Sequence, residues 1–313
     1  MTHPPRVTVV TIFLNAQAYL REAIDSVLAQ DFTDFELIMV DDGSTDRSTR
    51  IARDYVKRHP GRCSYMEHPG HANRGTSASR NAGIARARGE YVAFIDADDA
   101  WKPEKLREQI AILDAHPEVG MVAGAALYWR SWQGGKDDLT PAGHVLDRPV
   151  PPGAASTQVY PLGGAQAPCP SVLMVRRDVL DRVGGFEASY TGPLQLYEDQ
   201  AFLSKVYLDT HVWFSSRCWL LYRQHALSCV SENFRLGNYD WIRRHFLDWF
   251  EVYLTQGGVN DRAVRRALWR AQLPYRHPML HRAGSAAAAR WSRMAKLPRR
   301  ARDLPRRLRR WTG

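Results

Sequence analysis

Apolar residues in the first third of the chain keep to two rhythms, and the two alternate. VTVVTIFLN (Val7 to Asn15) is a nearly unbroken apolar run of strand length, whereas AQAYLREAIDSVLAQ sets Leu20, Ala23, Ile24, Val27 and Leu28 at the spacing of a helix with one apolar face. The pair then repeats. FELIMV (Phe35 to Val40) predicts a buried strand that ends in Asp41 and Asp42 and turns at Gly43. The helix after it, capped by Ser44 or Asp46, runs to about His59 before Pro60 and Gly61 stop it. Cys63 to Glu67 predicts a short strand, Ser77 to Arg88 a helix, and YVAFI (Tyr91 to Ile95) a strand that runs straight into Asp96, Asp98 and Asp99. Pro103 opens a helix that reaches His116. This alternation predicts an α/β fold: a mostly parallel, doubly wound sheet with helices on both faces and its βα loops collected along one edge.

Further on the rhythm weakens. Val119 to Trp129 predicts a strand, but Gly134 to Ala167 is rich in Gly, Pro and Ser without a period, and predicts an irregular, mobile insertion, either substrate-contacting or passive. Ser171 to Val175 predicts a strand, and Arg177 to Val183 a helix ended by Gly184 and Gly185. A helix from Tyr197 to Leu208 carries Glu198 and Asp199, and Val212 to Ser215 and Cys218 to Tyr222 predict two short strands. After about Ser231 the chain has helical character. The expected division is one domain over residues 1–230, with halves at 1–118 and 119–230, followed by a helical C-terminal region at 231–313.

A chain of 313 residues with 44% hydrophobic composition can bury a sizeable core, which excludes a disordered protein. No apolar run approaches twenty residues, so no membrane span is expected, and Val7 to Leu14 is too short for a signal peptide. Cys63, Cys169, Cys218 and Cys229 lack the spacing of a zinc site or a disulfide framework, and a reducing cytoplasm is the expected compartment. The net charge of +10 has one source: residues 281–313 hold eleven Lys and Arg against the single acid Asp303, leaving the rest formally neutral. No nucleic-acid-binding core is therefore expected.

The densest chemistry lies in YVAFIDADDAWKPEKL, Tyr91 to Leu106. Ligands bind beyond the carboxyl ends of strands in open α/β sheets, and two Asp flanking one residue point the same way on an extended backbone. Asp96 and Asp98 would then form a hard-oxygen pair suited to Mg2+ or Mn2+ carrying phosphate oxygens.

VTVVTIFLNAQAYLREAIDSVLAQDF, then ELIMVDDGSTDRS, then RGTSASRNAGIARARGEYVAFIDADDAWKPEKL together resemble the family 2 glycosyltransferases, over roughly residues 6–225. The resemblance implies the nucleotide-sugar-binding GT-A fold and an inverting transfer of a sugar from a nucleoside diphosphate sugar, a UDP-sugar being favoured, to an acceptor hydroxyl. It implies that Asp42 meets the base, with Thr11, Phe13 and Asn15 as the floor beneath it. Ile12 and Leu14 depart from the family's commonest residues, Pro and Tyr. The resemblance makes Asp98 a metal ligand, places Asp96 near the ribose and the metal, and gives Arg80 to the diphosphate. Tyr197–Gln200, YEDQ, resembles the family's acidic pair, which makes Asp199 the base and Glu198 its assistant, and His225 matches a late histidine that reaches metal or diphosphate. Cys169 and Ser171 are candidates for the acceptor pocket. The implied acceptor is a glycan or lipid-linked glycan in cell-surface polysaccharide or glycoconjugate synthesis.

In WSRMAKLPRRARDLPRRLRRW, Trp291, Met294, Leu297, Leu304, Leu308 and Trp311 alternate with cations, and Pro298 and Pro305 preclude one long helix. That fits contact with an anionic membrane, peripheral at its inner face, or an unstructured basic tail; its cations would also attract nucleic acid, though none is expected as partner. Two rival functions remain. A sugar nucleotidyltransferase would also use carboxylate-held Mg2+ but needs a Gly-rich basic loop after the first strand, where this chain has none; a non-catalytic binding protein would keep the fold alone.

Overall fold

The structure is a computed structural model that describes residues 3–226 and 228–279. The chain begins β1 (Val7–Phe13), α1 (Leu20–Leu28), β2 (Phe35–Asp41), α2 (Ser48–Arg58), β3 (Cys63–Glu67), α3 (Thr76–Arg86) and β4 (Tyr91–Asp96), the alternation that the apolar rhythm predicts. There follow β5 (Ala100–Trp101), α4 (Lys105–Ala115), β6 (Val119–Trp129), β7 (Asp138–Thr140), β8 (Pro149–Val150) and α5 (Ala154–Gln158). The remainder is β9 (Leu173–Arg176), α6 (Arg177–Val183), α7 (Glu198–Asp209), β10 (His211–Arg223), α8 (Cys229–Arg235), α9 (Tyr239–Gln256) and α10 (Arg262–Arg276).

One sheet runs in the order β3-β2-β1-β4-β9-β6-β10-β5. Its first four strands are parallel, β9 is antiparallel to both β4 and β6, and β6 and β10 are again parallel. β1 and β2 are buried at every position, which is why they read as unbroken apolar runs. Leu20, Ala23, Ile24 and Val27 of α1 and Ile51, Ala52 and Tyr55 of α2 turn inward, so one apolar stripe per helix packs on the sheet. A second apolar cluster joins Tyr190, Tyr197 and Ala201 to Phe246, Phe250 and Leu268, and so fastens α9 and α10 to the start of α7.

Four expectations are revised. Residues 134–167 are not irregular throughout: they contain β7, β8 and α5, and Val150, Ala155, Val159 and Ala165 join the main core. Their apolar positions are separated by Gly and Pro, so no stretch is long enough to show a period. The two strands expected between Val212 and Tyr222 are one strand, β10, whose register against β6 shifts between Phe214 and Cys218. The helix expected from Pro103 starts at Lys105, and the strand expected from Ser171 starts at Leu173, behind a 3-10 turn over Pro170–Val172. The Arg-rich segment lies outside the described residues.

Gly83 on α3 faces β1, where an added Cβ would fall on Val10 Cγ1. Helix propensity alone favours Gly83→Ala by up to about 1 kcal/mol, but overpacking costs about 1–3 kcal/mol. Chemical denaturation of Gly83→Ala should therefore show a net loss of stability; a gain would mean that α3 is not seated on Val10.

Candidate functional site

Because β1, β2 and β4 are parallel neighbours, the segments that follow them emerge along one edge of the sheet. Asn15 takes a left-handed backbone (φ 51°) just beyond β1, and its Oδ1 accepts from the amides of Thr45 (2.8 Å) and Asp46 (3.3 Å). Asp41 braces the turn after β2, accepting from the Ser44 amide, Thr49 and Tyr65 at 2.8, 2.6 and 3.2 Å. Asp46 Oδ1 accepts from the Ser48 amide at 2.8 Å at the start of α2. Ser44 does not cap that helix; its hydroxyl receives the Asn15 amide at 3.0 Å.

Asp42, expected to meet a base edge, is 5% exposed and accepts from the amides of Arg74 (2.7 Å) and Gly75 (3.0 Å). In this way it braces the approach to α3. Gly43, at φ 89°, lets this happen: a Cβ there would meet the His71 carbonyl at 2.9 Å. Thr11 and Phe13 are buried in β1, with Phe13 in the apolar core and the Thr11 hydroxyl lacking a hydrogen-bond partner.

The centre of the site is Arg80 on α3. Its guanidinium, 4% exposed, contacts Asp96 Oδ1 at 2.5 Å and Glu198 Oε1, and lies over the Phe186 ring. Three elements, α3, the end of β4 and the start of α7, thus converge on one cation. Burial opposes that charge, but Glu198, Asp96 and Asp199 outweigh it and hold the guanidinium protonated above its ordinary range. Arg80, expected at the diphosphate, here spends one donor from each terminal nitrogen on a carboxyl.

The Asp96–Asp98 pair also differs from its expected form. The backbone does not stay extended but turns, with the Asp99 amide donating to the Asp96 carbonyl at 3.1 Å. Asp96 is thereby drawn to Arg80 and Asp98 to His225, whose Nε2 lies 2.9 Å from Asp98 Oδ2. In this arrangement the Asp96 and Asp98 side chains turn to different partners. Among the described residues no three His, Cys, Asp or Glu side chains gather around one cation position. Asp98 and His225 nevertheless fit a divalent ion as two donors. Ligands at neighbouring corners of an octahedron with bonds of about 2.1 Å are about 3 Å apart, and such ions are commonly held by one or two protein groups plus phosphate oxygens.

Arg223 is a site residue that sequence reading missed. Buried at the end of β10, it contacts Glu22, donates from Nε to the Asp98 carbonyl at 2.7 Å, and is enclosed by Tyr19, Trp129 and Trp132. Its amide donates to Asp99 Oδ1 at 3.0 Å, so it fixes the acidic turn from behind. The signal available in the sequence was its place two residues before His225. Burial, then the charges of Asp98 and Asp96, push the Asp99 carboxyl well up.

Asp199 is set apart from the other acids by opening on a cavity of about 230 Å³. Tyr128, Tyr160, Tyr197, Tyr222 and Tyr239 line it together with Cys169. Ser171 does not; it is fully buried and receives the Asp96 amide at 3.0 Å. Burial raises the Asp199 carboxyl to about 6, with the Gln200 amide and Arg80 pulling down and Asp96 pushing up. Burial raises Glu198 further, to about 8, against Arg80 and with Asp199 and Asp96 adding to the rise. The contacts form one continuous line, from Asp42 to Gly75, from the Thr76 amide to Gln195 at 2.9 Å, and from Glu198 through Arg80 to Asp96.

Removing Arg80 leaves the Asp96 and Glu198 carboxyls without their cation, and breaking a buried pair from one side costs about 3–5 kcal/mol. Urea unfolding of Arg80→Ala should show a loss of that size, and a loss below about 1 kcal/mol would show that the clamp is not needed to hold the three elements.

Residues 8–184, more than half of the chain, match the family model described as glycosyl transferase family 2. A stretch of 117 residues is 39% identical to an uncharacterized glycosyltransferase of Nostoc sp., covering 37% of this chain and 35% of that protein. Another of 110 residues is 39% identical to a putative teichuronic acid biosynthesis glycosyltransferase, TuaG, of Bacillus subtilis, covering 35% of this chain and 42% of that protein. The matches thus span well under half of these relatives. Among solved structures, S. aureus TarS 1-349 in complex with UDP-GlcNAc aligns over 86% of this chain and 73% of its own, with a TM-score of 0.62 at 20% identity. The mannosyltransferase PcManGT of Pyrobaculum calidifontis, in complex with GDP-Man and Mn2+, aligns over 95% and 78%, with a TM-score of 0.59 at 20% identity. The curled, mostly parallel sheet is the fold of these neighbours, and the chain belongs to glycosyl transferase family 2.

Proposed function

We propose that this chain transfers a sugar from a nucleoside diphosphate sugar to an acceptor hydroxyl with inversion at the anomeric carbon, Asp199 serving as the base. The observation that carries the reading is the position of Asp199, whose carboxyl opens on the tyrosine-lined cavity while its neighbour Glu198 is turned into the Arg80 clamp. An inverting transfer is one in-line displacement. The acceptor oxygen attacks the anomeric carbon, its proton passes to Asp199, and the bond to the diphosphate breaks with its electron pair leaving on the diphosphate oxygen. Environment separates the two acids: Glu198 is engaged by the Arg80 guanidinium, whereas Asp199, raised only to about 6, is ionised near neutrality and can accept a proton. Glu198 is then a positioning residue rather than a second base.

The donor's diphosphate belongs at the Asp96–Asp98 turn. Asp98 and His225 would hold a divalent ion, Mn2+ or Mg2+, which when bound supplies positive charge against the leaving diphosphate. Arg223 orients Asp98 through its carbonyl. A UDP-sugar is favoured, supported by the UDP-GlcNAc complex of TarS, with the GDP-Man complex of PcManGT as the competing case. The likeness to TuaG supports an acceptor in a cell-surface polysaccharide. Among the described residues no helix is long and apolar enough to cross a membrane, and the proposed place of action is the cytoplasm, peripheral at the inner membrane face.

Two measurements test this reading. Asp199→Asn should lower kcat by about 10²- to 10⁴-fold while donor binding, read by thermal shift with nucleoside diphosphates, is kept. Unchanged transfer by the variant would remove Asp199 from the chemistry. The pH profile of kcat for the parent should rise through about 6 and level off, because the base acts only when ionised and its folded-state value lies at about 6. A profile flat from pH 5 to 8 would contradict the assignment.

A further inference from the structure

The described surface carries an apolar patch beside the cavity that holds Asp199. On α8 and the turn after it Val230, Phe234 and Leu236 are exposed, Phe234 at 77% and Leu236 at 60%, and Trp241 at the start of α9 is exposed as well. Val230 and Phe234 are four apart and share a helix face. The patch is tied to the cavity mouth: Val230 and Ser231 of α8 and Tyr239 of α9 line the cavity, and the Asn238 amide donates to the Asn233 carbonyl at 3.0 Å.

The chain also leaves the described region here. α9 and α10 lie together so that Tyr275, near the end of α10, donates to Asp240 at 3.0 Å in the first turn of α9. The following residues, 281–313, hold eleven Lys and Arg against one acid. Exposed Phe, Leu and Trp therefore share one end of the molecule with the point from which the cationic sequence departs, and Arg235 lies among them.

We propose that the α8 face, with Phe234, Leu236 and Trp241 entering the headgroup region, docks the protein on an anionic lipid bilayer and sets the cavity mouth at the membrane plane. Charge selects the occupant. A bilayer of anionic lipid complements the ten net positive charges that follow α10, whereas a second copy on the same face would bring two such segments together. Amphipathic segments of this kind bind through buried apolar area plus attraction to anionic lipid, and Trp suits the interface. The docking claim stands on this surface and on the charge of the sequence after α10; only its corollary, that the acceptor hydroxyl is carried on a lipid, rests on the transferase reading.

The test is sedimentation of the full chain with vesicles of phosphatidylcholine alone or mixed with phosphatidylglycerol. The parent should bind the anionic vesicles, and Phe234→Ser/Leu236→Ser, with the basic segment intact, should bind them about tenfold or more weakly at an unchanged melting temperature. If the double variant melts early, Phe234→Ser alone gives the same reading. Equal binding by parent and variant would assign attachment to the basic segment and overturn the proposal, as would no binding by the parent. A concentration-dependent dimer of the parent, lost in the variant without vesicle binding, would assign the face to a second copy. None of these readings involves sugar transfer, so failure here and failure of the transferase reading are separately visible.

Discussion

A single buried guanidinium organises this site. Arg80 is supplied by α3, and its contacts, Asp96 and Glu198, come from a strand end and a helix start that lie far from it in the chain. A cation with so little solvent exposure must be matched by nearby negative charge, and satisfying it draws β4 and α7 toward α3. Around that point the βα loops acquire fixed positions. Asp42 holds Gly75, Gln195 receives the Thr76 amide, and Asp98 meets His225. The acidic residues are therefore arranged by structural hydrogen bonding before any ligand arrives.

The same constraint divides labour among chemically similar groups. Asp96, Asp98, Asp99, Glu198 and Asp199 are five carboxyls in one neighbourhood, and they cannot all be ionised at equal ease. Asp96 has Arg80, Asp98 has His225, and Asp99 accepts an amide beneath the turn. Glu198 shares Arg80 and is the more deeply buried of the final pair, which leaves Asp199 as the carboxyl that both faces a cavity and ionises near neutral pH. Separating paired acids by environment allows one to accept a proton while the other keeps position.

The fold's first half was legible because strands buried on both faces leave an unmistakable apolar run; Cys63–Glu67 and Val119–Trp129 have the bounds expected from sequence. What escaped was structure held by isolated side chains. Val150, Ala155, Val159 and Ala165 reach the core from a Gly- and Pro-broken segment, where no window is long enough to show a period. The bulge between Phe214 and Cys218 hid the continuity of β10. At the site, motif reading located the residues but could not assign their partners. Spacing says that Asp96 and Asp98 are near each other; only the turn after β4 says that they look different ways. Likewise the sequence shows Arg80 as a helix arginine, and only tertiary packing shows that its charge is already engaged.

On the proposed reading, Asp98 and His225, at the edge of this carboxyl cluster, and a divalent ion jointly receive a nucleoside diphosphate. Isothermal titration of UDP and of GDP into the protein, with Mn2+ and then with the metal chelated, addresses it directly. One of the two should bind saturably at one site in the presence of Mn2+ and lose most of its affinity without it. Binding of equal strength with and without the ion, or no binding of either nucleotide, would contradict it.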